Sequence, residues 1–263
     1  MEVHHHPDVH HKRKKFKEYF LEFLMIFLAV TMGFFAETIR ENISEGNKAK
    51  ELAKSLYQEV YTDSINIRQK ISFRIQKEKA SEYFIAYIND SDLANVSFSF
   101  YRAFTLSFLS TTQLLFEPKD AILNQLKNSG TLRYFKSNTL QNQIGMLSVV
   151  IEETRSRNQK EYSFLENNMR PFILKHYDFR FYEELTDHGK IPITKALDRT
   201  ELQVPVKPRI VKSDKFDREE AESIASYYLL MLRGTRQNQY AEYLNINHLL
   251  LETLRKEYHV ENE

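Results

Sequence analysis

From residue 19 to residue 36 the chain reads Tyr, Phe, Leu, Glu, Phe, Leu, Met, Ile, Phe, Leu, Ala, Val, Thr, Met, Gly, Phe, Phe, Ala. Glu22 is the one charge in this run, and apolar residues occupy every face of the helix it predicts. A helix rises about 1.5 Å per residue, so about 20 residues cross a hydrocarbon layer about 30 Å thick. Residues 16–39 supply that length, with Phe16 and Tyr19 near one interface and Phe34 and Phe35 near the other. The core helix of a globular protein would carry a polar stripe. A cleaved signal peptide would exit through small residues, whereas here Gly33 is followed by Phe34 and Phe35. The pattern therefore predicts an uncleaved transmembrane anchor over residues 19–39.

Beyond the anchor the pattern changes to a helical period. Leu52, Leu56, Val60, Ile67, Ile71 and Ile75 recur mostly at three- and four-residue steps among charged residues, which predicts an amphipathic helix. It continues through Tyr83, Phe84 and Ile88 and stops at Asn89, Asp90, Ser91 and Asp92, with Gly46 and Asn47 as points where it can bend. Residues 97–116 are apolar and rich in Ser and Thr. Their longest uncharged stretch, closed by Arg102 and Glu117, is too short to span a bilayer and predicts a buried bundle helix. Pro118 is placed in the first turn of the next helix, which Ser129 and Gly130 end. Ser137 or Asn138 caps a long helix that Pro171 kinks near its end. Asp217, with Glu220 three residues on, resembles a capping box and opens a helix that Arg233, Gly234 and Thr235 terminate. A last helix runs from Arg236 to Tyr258, and residues 260–263 fray.

Between the helix that Pro171 kinks and the one that Asp217 opens, residues 178–215 lose the helical period. They contain Pro192, Pro205 and Pro208 and a β-like run at 203–211, and they predict a long irregular crossover, with room for a short hairpin. Long irregular connections often carry contacts, so this segment is either a packed crossover or a partner-facing surface. The expected fold class is all-α: one N-terminal transmembrane helix, then an antiparallel helical bundle with one long crossover. The expected domains are a tail at 1–18, the anchor at 19–39 and the bundle at 40–263.

Charge sets the direction of the anchor. Lys12, Arg13, Lys14, Lys15 and Lys17 crowd its N-terminal side, while Glu37, Glu41 and Glu45 outnumber Arg40 beyond it. The basic side stays in the cytoplasm, so the bundle is expected outside a bacterial inner membrane, in the periplasm. The formal net charge of +1 is no nucleic-acid footprint. Cysteine is absent, which excludes disulfides, thiolate metal sites and cysteine nucleophiles. Six glycines and six prolines suit a helical protein better than a turn-rich sheet protein.

Candidate chemistry is sparse. Glu22 lies about one turn inside the span, and two readings fit it: a carboxylate reaching back to the interface beside Lys14, Lys15 and Lys17, or a protonatable, partner-facing group. Its position resembles that of the acidic residue near the cytoplasmic end of the single span in stator-type, ion-driven transducers. Ala29 and Gly33 form a small-xxx-small pair that lets a second helix approach closely. In the tail, His4, His5, His6, Asp8, His10 and His11 are candidate ligands for a borderline metal, against a solvated cationic tail at the anionic membrane face. There is no glycine-rich phosphate loop, no Gly-x-Ser-x-Gly elbow and no His-Glu-x-x-His pair. His176 beside Asp178 at a helix end reads as a cap rather than a base. The fifteen tyrosines and nineteen phenylalanines are read as core packing or as an aromatic binding face. No cofactor is implied. The expected partners are the lipid bilayer and a protein partner or a second copy of the chain, with no nucleic acid.

Two stretches carry a resemblance. The tail and span, from Met1, Glu2, Val3 and His4 to His6, through His10, His11 and Lys12, to Glu37, resemble the start of single-span inner-membrane envelope proteins of Bacteroidota with a His-rich N-terminal tail. Leu126, Lys127, Asn128, Ser129, Gly130, Thr131 and Leu132 resemble a Leu-x-x-Ser-Gly-x-Leu segment of related anchored helical proteins. The resemblance implies the compartment and the single span. It brings no established activity and no functional residues. The expected function is that of a non-enzymatic, membrane-anchored interaction module, with a ligand sensor acting through a partner or an ion-coupled transducer using Glu22 as alternatives.

Overall fold

The computed structural model describes residues 15–109, 114–198 and 206–260. Among these residues every regular element is helical and there is no strand. The chain divides into two compact units, Met1–Glu51 and Leu52–Glu263.

The first helix, α1, is Phe16–Asp90. Within the first unit it contains an apolar window of mean hydropathy 2.0, none of which is buried. Thr31 and Thr38 return their hydroxyl protons to the carbonyls of Phe27 and Phe34, at 2.7 and 2.9 Å. Their donors are thus met inside the helix and add no unmet group to an apolar surface. The helix is unbroken through Gly46 and Asn47. The helix length and its apolar stretch match the sequence expectation.

In the second unit, α1 buries Leu56, Val60 and Ile67 as the period predicts, but the stripe then departs from the expected residues. Ile75 is 38% exposed, and the inward positions are held by Arg74, Lys77, Glu78 and Ser81 before Phe84 and Ile88 resume the apolar seam. Arg74, seven residues on from Ile67, returns to within about 20° of it around the helix, whereas Ile75, eight residues on, is turned away by about 80°.

Helix α2, Phe98–Phe108, begins at Ser97, whose side chain accepts from Phe100 N at 3.1 Å. Its rings form the centre of the core: Phe84 lies 5.4, 5.1 and 4.9 Å from Phe100, Phe104 and Phe108, and Phe108 lies 5.5 Å from Phe172. Such ring pairs add about 0.5–1.5 kcal/mol each beyond their buried area. The helix is shorter than the predicted 97–116. Residues 110–113 fall outside the described residues, and Leu114 and Phe116 are buried outside any α-helix.

Helix α3, Ala121–Asn128, starts later than expected, so Pro118 precedes it rather than entering its first turn. Asp120 makes no side-chain cap. The free N–H of Ile122 is met instead by Glu59 of α1, at 3.2 Å, while Lys119 N donates to Asp63 at 2.8 Å. A long-range carboxylate replaces the local cap, which satisfies the same orphan donor. Gly130, at φ 69°, provides the left-handed turn after α3.

Helix α4, Asn138–Phe164, is capped by Ser137, which accepts from Leu140 N at 3.3 Å. A single π turn, Leu165–Met169, then leads into α5, Arg170–His176. Pro171 stands just after the π turn; it has no N–H to give, and the extra residue of the turn absorbs the lost helical bond.

The crossover corrects the sequence reading. Its described part is not irregular throughout: it holds α6, Phe179–Leu185, and α7, Ile193–Leu197. Residues 206–211 form no strand, and residues 199–205 lie outside the described residues. Pro208 has no N–H to give to a ladder, and Val211 N donates to His176 O at 2.9 Å.

Helix α8, Arg218–Thr235, opens with the expected cap, Asp217 accepting from Glu220 N at 3.1 Å. It does not stop at Gly234. A π turn, Arg236–Tyr240, carries the helix on into α9, Ala241–Tyr258. Glycine inside a helix costs about 1 kcal/mol against alanine. Here Leu232, Thr235 and Tyr240, all buried, hold the helix on both sides of it. Helices α4 and α9 pack together extensively.

Candidate functional site

Of the residues singled out in the tail and the span, only those on α1 are among the described residues. His4, His5, His6, Asp8, His10 and His11 lie outside the described residues. Glu22, Ala29 and Gly33 are exposed on α1. A Cβ added at Gly33 would meet nothing within 4 Å. Ala29 and Gly33, one turn apart, share a helix face.

The chemistry lies instead in the second unit, on the inward charged positions of α1. Arg74 and Glu161 are 0% and 1% exposed, and Arg74 Nη1 and Nη2 donate to the two carboxylate oxygens at 3.1 and 2.7 Å. Arg74 Nη2 also donates to Tyr240 Oη at 3.2 Å, and the guanidinium sits 4.7 Å from the Tyr240 ring centre. Thr235 donates its hydroxyl proton to Glu161 Oε1, and Arg157 Nε donates to Thr235 Oγ1 at 2.7 Å. Tyr240 donates to Leu114 O at 3.1 Å and accepts from Phe116 N at 2.9 Å. Burial works against the Arg74 charge, but Glu161 beside it holds the guanidinium pKa above its ordinary value. The network joins α1, α4, the end of α8, the π turn at 236–240 and the segment at 114–116. Most of its donors meet acceptors within the network or on the neighbouring backbone, Arg74 Nε alone being buried without a hydrogen-bond partner, and the network reads as a clamp on these elements.

Lys77 is different. It is 4% exposed, and its Nζ donates to Leu109 O at 3.0 Å and lies 5.2 Å from the centre of the Tyr228 ring. Burial, with the charge of Arg74 nearby and only partly offset by Glu161, pushes its pKa well below that of an ordinary lysine. Lys77 lines a small, partly open pocket of about 70 Å³ with Phe73, Thr105, Leu114, Ile193, Thr194 and Leu197. Beside it is an open cleft of about 520 Å³, lined by Lys79, Tyr83, Arg102 and Asp198 among others. Gln76 and Leu106 belong to both linings. Arg102 and Asp198 pair across the open cleft at 3.2 Å, on exposed side chains.

A third polar group fastens the crossover. His176 Nδ1 is 3.1 Å from Val211 O, so Nδ1 carries the proton, and Nε2 is buried without a partner. The ring packs against Phe172 and Phe216, each 5.0 Å away, and burial lowers its pKa. Asp178 caps α6 by accepting from Phe181 N at 3.3 Å, and it also receives Arg209 Nε at 3.2 Å. Of the pair read from the sequence as a cap, Asp178 caps α6 and His176 instead bonds Val211 O. Among the described residues no three His, Cys, Asp or Glu side chains are grouped to hold a metal.

Sequence reasoning passed over Arg74, Lys77 and Glu161 because interleaved charges on a helix usually mark a solvated face. The available signal was positional: Arg74 and Lys77 sit in register with Ile67, Phe84 and Ile88. Comparison with family models, with curated proteins and with solved structures found no match to this chain.

Proposed function

We propose that the chain is a single-pass membrane protein of a bacterial envelope that acts as a non-enzymatic interaction module. In this reading α1 crosses the inner membrane over residues 19–39, the basic tail is cytoplasmic, and the helices from residue 40 onward form an antiparallel periplasmic bundle. The bundle serves as a scaffold, an adaptor or an accessory subunit. The observation that carries the reading is the uncovered apolar window of α1. Phe20, Phe23, Met25, Ile26, Phe34 and Phe35 are each more than half exposed. Leaving such a side chain in water costs about 1.5–3 kcal/mol relative to burial, and lipid removes that cost. The basic residues before the span and the carboxylates after it support the orientation. The likeness of the first forty residues to single-span envelope proteins of Bacteroidota supports the compartment.

The test is extraction and native purification. The chain should stay in the membrane through an alkaline carbonate wash and leave mild detergent with a stoichiometric protein partner or as a homo-oligomer. Release by carbonate contradicts the anchor, and a strictly monomeric, partner-free protein contradicts the module. A second reading, an extracytoplasmic ligand sensor acting through a partner, is favoured by the 520 Å³ cleft beside Lys77. Ligand-dependent change in the purified complex separates the two.

A further inference from the structure

The open cleft is built by two helix faces. Helix α1 gives it residues 76, 79, 80 and 83, and α2 gives it residues 99, 102, 103 and 106. Both sets follow the i, i+3, i+4, i+7 spacing of a single helix face. Ala80 and Ala103, in the middle of the two faces, are buried, and their short side chains leave the space above them open. At about 520 Å³ the cleft falls within the range of small-molecule sites, about 300–1,000 Å³.

Its charged wall is Lys79, Arg102 and Asp198, two cations against one anion. Arg102 Nη2 donates to Asp198 Oδ1 at 3.2 Å, and both partners line the cleft, so the guanidinium is held at its wall. A guanidinium has five N–H groups, and this bond takes one of them. The pair is exposed on both sides and contributes little by itself, so a second carboxylate can share the guanidinium or displace Asp198 from it. Lys79 is exposed and makes no ion pair among the described residues. Ser99 stands in the first turn of α2, the positive end of that helix. The remaining wall is apolar in body: Tyr83 is 44% exposed, and Leu106 is half-buried. A bare phosphate leaves that apolar surface unused, and an organic cation meets a wall of net positive charge.

We propose that this cleft binds a small organic monocarboxylate with an apolar body. The carboxylate accepts from the unused N–H groups of Arg102 and from the Lys79 ammonium, and the body lies against Tyr83, Leu106 and the two alanines. A neutral amide of the same shape keeps the apolar contacts and loses the charge-assisted bonds. The inference rests on the sensor reading and deepens it by naming the ligand class. It uses the second unit alone, so the membrane anchor stands or falls without it.

The test is calorimetry on the full-length protein in mild detergent, with titration into detergent alone subtracted. The probes are 3-phenylpropanoate, 3-phenylpropanamide and 3-phenylpropylammonium. The carboxylate should bind saturably and about tenfold more tightly than the amide, the effect of one charge-assisted hydrogen bond. Arg102→Gln should weaken carboxylate binding by about tenfold and leave the helical circular dichroism unchanged, because its side chain is exposed. Reductive methylation mapped by mass spectrometry locates the guest: 3-phenylpropanoate should slow modification of Lys79 and leave the exposed Lys160 unaffected. Equal binding of carboxylate and amide overturns the proposal, as does carboxylate binding that leaves Lys79 unprotected. Tightest binding by the ammonium overturns the carboxylate assignment and leaves the sensor reading standing. Absence of saturable binding by all three overturns the proposed site, while the sensor reading keeps its own test in the purified complex. The titrations and the methylation map use the wild-type chain, so a variant that fails to fold does not decide the outcome.

Discussion

Replacing Arg74 by Met tests whether the buried clamp holds the helices together. Arg74→Met removes two bonds to Glu161 and one to Tyr240. Breaking a buried ion pair from one side generally costs about 3–5 kcal/mol, because the remaining charge is stranded. Here the stranded Glu161 keeps the Thr235 hydroxyl and has Arg157 Nε at 3.8 Å. Tyr240 keeps Leu114 O and Phe116 N. The expected loss therefore falls at the low end, about 3 kcal/mol, which for a unit of this size lowers the melting midpoint by about 6–12 °C. Replacing both partners, Arg74→Met with Glu161→Leu, strands no charge at this pair and should cost much less than the sum of the two single changes. Urea unfolding of the detergent-solubilised protein, followed by helical circular dichroism, yields the four free energies of the cycle. A single-variant loss below about 1 kcal/mol, or a double variant equal to the sum of the singles, refutes the clamp.

Three further outcomes rest on the same geometry. Lys77→Met should stabilise the fold by roughly 1–2 kcal/mol at neutral pH, since it removes a buried amine that must give up its proton to fold, less the cost of leaving Leu109 O without its donor. Because the folded pKa of Lys77 is depressed, wild-type stability rises with pH between that value and about 10.4, so the Met advantage should shrink across that window; an advantage independent of pH contradicts the assignment. His176 is likewise depressed, so its contribution is complete above about pH 6.5 and is lost as pH falls through its folded value, where a proton on Nε2 has no acceptor. His176→Asn should flatten the loss of stability below about pH 6.5, and an unchanged pH profile in chemical denaturation counts against it. Asp217→Ala should cost about 1 kcal/mol in the same assay by freeing Glu220 N at the start of α8.

The legible parts of this fold were those written in local chemistry. The helix ends at Ser97, Ser137 and Asp217 have side-chain acceptors next to the donors they meet, and the apolar run before Glu37 has one composition throughout. What escaped was set by distance. Glu59 and Asp63 supply α3 with partners from more than fifty positions earlier, so Pro118 misled the placement of that helix. Gly234 looked like a stop because the residues that keep the helix going, Arg157 and Glu161, come from α4. Phe181, Tyr182 and Leu185 give α6 an apolar face too short to show a period among prolines. The buried cations escaped for a related reason: their partners, Glu161, Tyr240 and Leu109, are distant in sequence, and a charge looks solvated until its partner is in view.

The central claim is that α1 anchors the chain with its tail inside and the rest outside. The absence of native cysteine makes a direct measurement possible. Single cysteines at Glu2 and at the exposed Ser72, introduced one at a time, are treated with a membrane-impermeant maleimide in cells whose outer membrane has been opened. Labelling of Ser72→Cys with protection of Glu2→Cys until the inner membrane is lysed is the predicted result. The reverse pattern, or equal labelling at both sites with the chain found in the soluble fraction, contradicts it.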